Sequence, residues 1–334
     1  MSDFLARLTR FLDERGQETK IRQLTPDAST REYFRVGWNG GTAIACVYPE
    51  PFRAGEQTYL DATALFSKAS LPVAAIFDFS EDLGVIIQED LGDVILRDVV
   101  VDADDAARDR LLNEAIRLIA RIQAATPLAI ELNSIASRLR FDTEKLLWEL
   151  DFFKTHYFST YKNEPLSPAD DKRVTAEFAE LAAELESRAR VLCHRDFHAA
   201  NLMLDDAGRL RIIDHQDARI GSVAYDLVSL LLDRVTEPPT AEWLAEKRSF
   251  FLSAHEANDL EPIDEQVFAE EFRLQAIQRC LKAIGTFSFQ SVNRGKTYFV
   301  PFIDPMFRIV LRALGNLGRY PAIARMVANE IGEN

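Results

Sequence analysis

Cysteine is scarce in this chain. Its 334 residues hold three, Cys46, Cys193 and Cys280, far apart and each set in apolar sequence. That pattern reads as buried reduced thiols, with neither a disulfide framework nor zinc-site spacing. Basic charge is also short: Lys and Arg total 39 against 53 Asp and Glu, for a formal net charge of −14. A broad nucleic-acid-binding face and electrostatic attachment to anionic membranes are therefore not expected, although a local pocket can still be positive. No apolar run approaches membrane-spanning length. The opening MSDFLARLTRFLDERG reads as an amphipathic helix carrying acidic residues, not as a signal-peptide core, so a cytoplasmic protein is expected. Neither the phosphate loop G-x-x-x-x-G-K-S/T nor G-x-G-x-x-G occurs, which disfavours a Walker-type NTPase and a nicotinamide dehydrogenase. Internal repeats, low-complexity tails and coiled-coil heptads are missing too.

What is present begins with a small β-rich region. After the first helix, which ends near Gly16, short strands are expected at Ile21–Leu24, Tyr33–Trp38 and Thr42–Tyr48, the last two joined by a hairpin at Asn39-Gly40-Gly41. A helix from about Gly55 to Ala69 stops before Pro72, and Val73–Phe79 and Val85–Gln88 complete the sheet. Gln88 to Asp93 is polar and turn-prone, a hinge between lobes. Beyond it the pattern is mostly helical: Ala106–Ala124, Thr143–Phe158, Ala176–Arg190, and helices from about Ala241 and Asp264. The segments Pro165–Pro168 and Glu237–Pro239 read as connections. The expected fold class is α+β and bilobal, with residues 1–90 as a nucleotide-binding lobe and 91–334 as a helical catalytic and acceptor-binding lobe.

The chemistry concentrates in Val191–His215, VLCHRDFHAANLMLDDAGRLRIIDH. An apolar start leads into His194, Arg195 and Asp196, and Asn201 follows five residues after the Asp. A strand from Asn201 to Leu204, a turn at Asp205–Gly208 and a strand from Leu210 to Ile213 deliver Asp214 at the hairpin's end. A carboxylate at Asp196 can align an attacking hydroxyl and take its proton, while Asn201 and Asp214 offer hard oxygen ligands suited to Mg²⁺. His194 is read as a loop-holding residue and His198 as facing the acceptor. His194 and His198 lack the intervening Glu of a zinc protease. In the front lobe, Ser29, Thr30 and Arg31 lie in a polar loop between strands, whose N–H groups and hydroxyls could cradle ATP phosphates or form a plain hairpin turn.

On the loop HRDFHAAN and the segment Ile213–Asp217, the chain resembles the aminoglycoside phosphotransferase family, with its protein-kinase-like fold. It is closer still to bacterial N-acetylmuramate/N-acetylglucosamine anomeric kinases, through LTPDASTREYFRV and DHQDARIGSVAYDLVSLL. The resemblance implies an ATP-dependent phosphotransferase acting on the C1 hydroxyl of an N-acetylated amino sugar. Asp196 would be catalytic, with His198 beside it, Asn201 and Asp214 would bind Mg²⁺, and the backbone from Glu89 to Leu91 would meet adenine. Asp226 would hold the catalytic loop, and Asp217 or the helices around Trp148 would contact the sugar. Within the same fold the alternatives are an aminoglycoside, a choline-like amine or another hydroxyl metabolite as acceptor, or a catalytically silent binding protein.

One departure stands out. The lysine that kinases carry near the end of the third strand is missing from TAIACVY, where Cys46 cannot supply a fixed charge. Arg31, Arg35 and Arg53 are the candidates to compensate, and Glu56 is read either as a relic of the lysine's glutamate partner or as surface charge alone. His215 replaces the common aromatic residue after the metal-binding Asp.

Overall fold

The computed structural model describes residues 3–24 and 31–332. In chain order the elements begin with α1 (Asp3–Glu14), β1 (Ile21–Gln23), β2 (Glu32–Trp38), β3 (Gly41–Val47), α2 (Thr58–Lys68), β4 (Ile76–Ser80) and β5 (Val85–Glu89). Then come α3 (Leu96–Asp102), α4 (Asp105–Ala124), α5 (Thr126–Glu131), α6 (Ile135–Arg138), α7 (Thr143–Phe153), α8 (Pro168–Ser187), β6 (Val191–Cys193), β7 (Leu202–Leu204), β8 (Leu210–Ile212) and β9 (Arg219–Gly221). The chain continues through α9 (Tyr225–Leu232), α10 (Ala241–Glu256), α11 (Glu265–Arg294), α12 (Ile303–Leu317) and α13 (Pro321–Ile331).

These elements form two compact units. The first runs to Arg108 and adds Pro127–Ala136 and Ala199–Ala218; the second takes Asp109–Thr126, Ser137–His198 and the chain from Arg219 onward. The units interleave along the sequence, whereas the expected lobes are contiguous. Hydrogen bonding explains why the β7–β8 hairpin groups with the first unit: Ile212 N–H donates to Pro72 O at 2.8 Å and Leu204 N–H to Val94 O at 2.9 Å.

The first unit is built on an antiparallel sheet of order β1-β2-β3-β5-β4. Alternation along β3 sends Ala43, Ala45 and Val47 to one face, where Leu8, Phe11 and Leu12 of α1 pack with Phe34, Val36, Val85 and Ile87. Each of these α1 side chains is fully buried, worth roughly 1.5–3 kcal/mol against exposure. Cys46 points to the other face, against Tyr59 of α2 and Ile86. The kinase-like α+β architecture read from the sequence is the one found.

The second unit is mostly helical around α11, whose thirty residues include Phe268, Leu274, Ile277, Leu281 and Ile284 in the core. Gly285 lets α7 approach this helix: a Cβ there would lie 2.6 Å from Phe153 Cα, and backbone cannot move aside as a flexible side chain does. The short β6 and β9 pair through Val191↔Gly221 and Cys193↔Arg219, giving the loop that begins at His194 a fixed starting point.

Several sequence expectations shift. Pro168 opens α8, with Ser167 as the cap accepting from Asp170 N–H; Pro at the first helical position needs no N–H partner. The helix expected over 143–158 stays α-helical to Phe153, then continues as a π-helix through Lys162. The first strand ends at Gln23, and Val73 makes an isolated bridge to Ile212 ahead of β4. Elements α3, α5, α6 and β9 were not anticipated, being short and without a sustained period, and the two C-terminal helices α12 and α13 were not anticipated either. All three cysteines are buried and unbridged. Among the described residues no helix is long and apolar enough to cross a membrane.

Candidate active site

Within the first unit, the hairpin brings Asn201 and Asp214 together. Ile213 N–H donates to Asn201 O at 3.1 Å, closing the open end of β7 and β8. Asn201 Nδ2 then lies 3.5 Å from Asp214 Oδ2. Asp214 adopts a left-handed backbone, φ 61°, which turns its side chain out of the strand direction and leaves it 43% exposed. Gln216 Nε2 donates to its other oxygen at 2.8 Å. An exposed carboxylate beside an amide oxygen is the hard-donor set that Mg²⁺ accepts when phosphate oxygens and water fill the remaining positions. The residues present therefore fit a magnesium–nucleotide group.

Arg31 joins this pair, its guanidinium 3.6 Å from Asp214 Oδ1 and over the rings of Tyr33 and Tyr48 at 5.8 and 5.7 Å. Burial opposes its charge, but Tyr33, Cys46 and Tyr48 outweigh burial and hold its pKa above the ordinary value. Cys46 is pushed up to about 11, chiefly by burial, and is a neutral thiol near pH 7. Of the other candidate cations, Arg35 is committed elsewhere, bonding Asp90 at 2.6 Å and Asp93 at 2.9 Å. Glu56 is exposed in a 3₁₀ turn ahead of α2, in keeping with its reading as surface charge. Tyr59 and Thr63 are among the buried positions of α2, and Thr63 Oγ1 lies 2.7 Å from His215 Nε2. His215 is fully buried, with its ring stacked on Phe66 and tilted against Tyr59. This packing accounts for His215 in place of an aromatic residue.

At the expected hinge, the Glu89 side chain forms a bidentate pair with Arg211 of β8, at 2.6 and 3.0 Å, and its pKa is lowered chiefly by that bond. Leu91 is buried. Ser29 and Thr30 lie outside the described residues.

In the second unit, Asp196 follows Arg195, a residue with φ 86°. The turn is anchored by Asp226 at the start of α9, which accepts from His194 N–H at 2.7 Å and Arg195 N–H at 3.0 Å. The His194 ring is buried edge-on to Phe197. Asp196 Oδ1 lies 3.0 Å from Arg279 and 3.5 Å from Lys282, both on α11. Burial alone would raise the Asp196 pKa, but Lys282, Arg279, Arg195 and His198 override it and hold the carboxyl well below its usual range. The carboxyl is therefore ionised near pH 7. His198 shares its cavity, and burial lowers the imidazole pKa despite Asp233 and Asp196 nearby. Arg279 and Lys282 have no local sequence signal, although two cations three residues apart in a long apolar helical pattern were a clue.

A family model described as "Phosphotransferase enzyme family" matches residues 20–265. The chain is 28% identical over 303 residues to the N-acetylmuramate/N-acetylglucosamine kinase of Neisseria meningitidis serogroup B, covering 90% of this chain and 87% of that one. It is 29% identical over 289 residues to a kinase of the same name from Caulobacter vibrioides, covering 84% and 75%. Among solved structures, the ADP-bound aminoglycoside phosphotransferase APH(2'')-Ib superposes with a TM-score of 0.56 at 14% identity, covering 91% of this chain and 97% of that one. The chain belongs to the phosphotransferase enzyme family and is an ATP-dependent kinase that acts on a hydroxyl group.

Proposed function

We propose that the acceptor is the anomeric C1 hydroxyl of N-acetylmuramate and N-acetylglucosamine. The names of the two relatives and the motifs quoted above support this reading. The observation that carries the chemistry is Asp196, ionised beside an open cavity and paired with two α11 cations. Asp196 Oδ accepts the hydrogen bond of C1–OH, orients its oxygen, and takes the proton as that oxygen bonds to the γ-phosphorus of ATP while the bond from that phosphorus to the bridging oxygen breaks and ADP leaves. Asn201 and Asp214 would hold Mg²⁺ against the nucleotide phosphates. When bound, the metal neutralises charge that spreads over the transferring group. Arg31 supplies the fixed positive charge that Cys46 cannot, and the backbone from Glu89 to Leu91, with Ser29 and Thr30, completes nucleotide binding in this reading. His198, held neutral, lines the acceptor side.

The test is Asp196→Asn, which keeps the shape and removes the proton acceptor. Turnover falls by about 10²- to 10⁴-fold, while Mg-ATP binding persists by calorimetry. Unchanged turnover in this variant contradicts the assigned role.

A further inference from the structure

The cavity beside Asp196 is positive inside an acidic protein. Its charged lining residues are Asp196 and Asp233 against Arg234, Arg279 and Lys282, two carboxylates facing three cations, in a chain of net charge −14. His198 adds no positive charge near pH 7, because burial lowers its pKa. A pocket made for a polyamine or a quaternary ammonium needs surplus carboxylates or an aromatic cage. This one has the opposite balance.

The three cations are not equivalent. Arg279 is engaged twice, 3.0 Å from Asp196 and 2.8 Å from Ser229 Oγ, and Lys282 leans on Asp196 at 3.5 Å. Both belong to the charge environment of the hydroxyl-activating carboxylate. Arg234 is held more loosely. Its Nε lies 3.5 Å from Asp233 Oδ2, and its guanidinium spreads over the Phe299 ring at 5.2 Å. The Nε–H is buried without a hydrogen-bond acceptor among the described residues. Its left-handed backbone, φ 50°, just past the Asp233 cap of α9, is a conformation that non-glycine residues adopt at a cost.

We infer that Arg234 recognises an acidic group on the acceptor, the carboxylate of the lactyl ether that N-acetylmuramate carries and N-acetylglucosamine lacks. This rests on the sugar-kinase reading and adds to it a residue that tells the two sugars apart. A guanidinium presents a planar fork of N–H donors that matches a carboxylate, and stacking on Phe299 fixes the plane of that fork. The loose Asp233 contact leaves donors to spare. N-acetylglucosamine would occupy the same place over Asp196 without engaging Arg234.

The two sugars differ only in that ether, so each controls for the other. With the full chain and Mg-ATP, Arg234→Met is expected to lower kcat/KM for N-acetylmuramate roughly 10- to 100-fold, mostly through KM, and to leave N-acetylglucosamine close to wild type. Retained turnover of the neutral sugar also shows that the variant is folded. Arg234→Lys should recover part of the loss. The carboxamide derivative of N-acetylmuramate should be a weak substrate of the wild type and suffer no further loss in Arg234→Met. Equal losses on both sugars, or none on N-acetylmuramate, overturn this inference alone. Failure of the wild-type chain to phosphorylate either sugar overturns the sugar-kinase reading and this inference with it.

Discussion

Arg31 and Asp214, 183 positions apart in sequence, meet with the guanidinium 3.6 Å from the carboxylate. The arginine lies ahead of β2, near Tyr33 and Tyr48, on the sheet face where Cys46 stands in place of a lysine. A guanidinium thus stands on the sheet face where the third strand carries no lysine.

Replacing that cation should weaken the nucleotide more than the acceptor. Arg31→Met is expected to cost about 1.5–3 kcal/mol of Mg-ATP binding, the worth of a hydrogen bond to a charged group, measured by calorimetry alongside kcat/KM. The double variant Arg31→Met, Cys46→Lys returns a positive charge to β3 and should recover part of that binding. If Arg31→Met binds Mg-ATP like the wild type, the compensation is elsewhere.

Asp196 gives a pH prediction whose sign follows from its surroundings. Its folded pKa is depressed, so its ion pairs stabilise the fold above the unfolded carboxylate value of about 3.9. That stabilisation is lost only as pH falls through the lower folded pKa. The acid limb of kcat that reports Asp196 should accordingly lie below the ordinary carboxylate range. Lys282 is the largest of the charges holding it down, so Lys282→Met should move that limb upward in a kcat–pH profile. A limb that stays in place would show that Arg279 and Arg195 suffice.

How far the sequence discloses this site depends on how local each part is. Asp196, Asn201 and Asp214 fall within nineteen residues and a hairpin, so turn chemistry and alternation place them without knowledge of the tertiary fold. The hairpin of β2 and β3 was legible for the same reason, with Asn39 and Gly40 between the two strands. Arg279 and Lys282 reach Asp196 from 83 and 86 residues away, a meeting that only the packing of α11 creates. The partnership of Thr63 with His215 spans 152 residues and carries no local signal either. The π-helical turn after Phe153 was equally hidden, because its aromatic residues give no clean 3.6-residue period.

The most direct test of the central claim is transfer of phosphate from Mg-ATP to N-acetylmuramate and N-acetylglucosamine, set beside their C1-O-methyl glycosides. A C1 kinase phosphorylates both free sugars and neither glycoside, and its product releases phosphate under mild acid as an anomeric phosphate does. Phosphorylation of the glycosides, or no turnover of either free sugar, would contradict it.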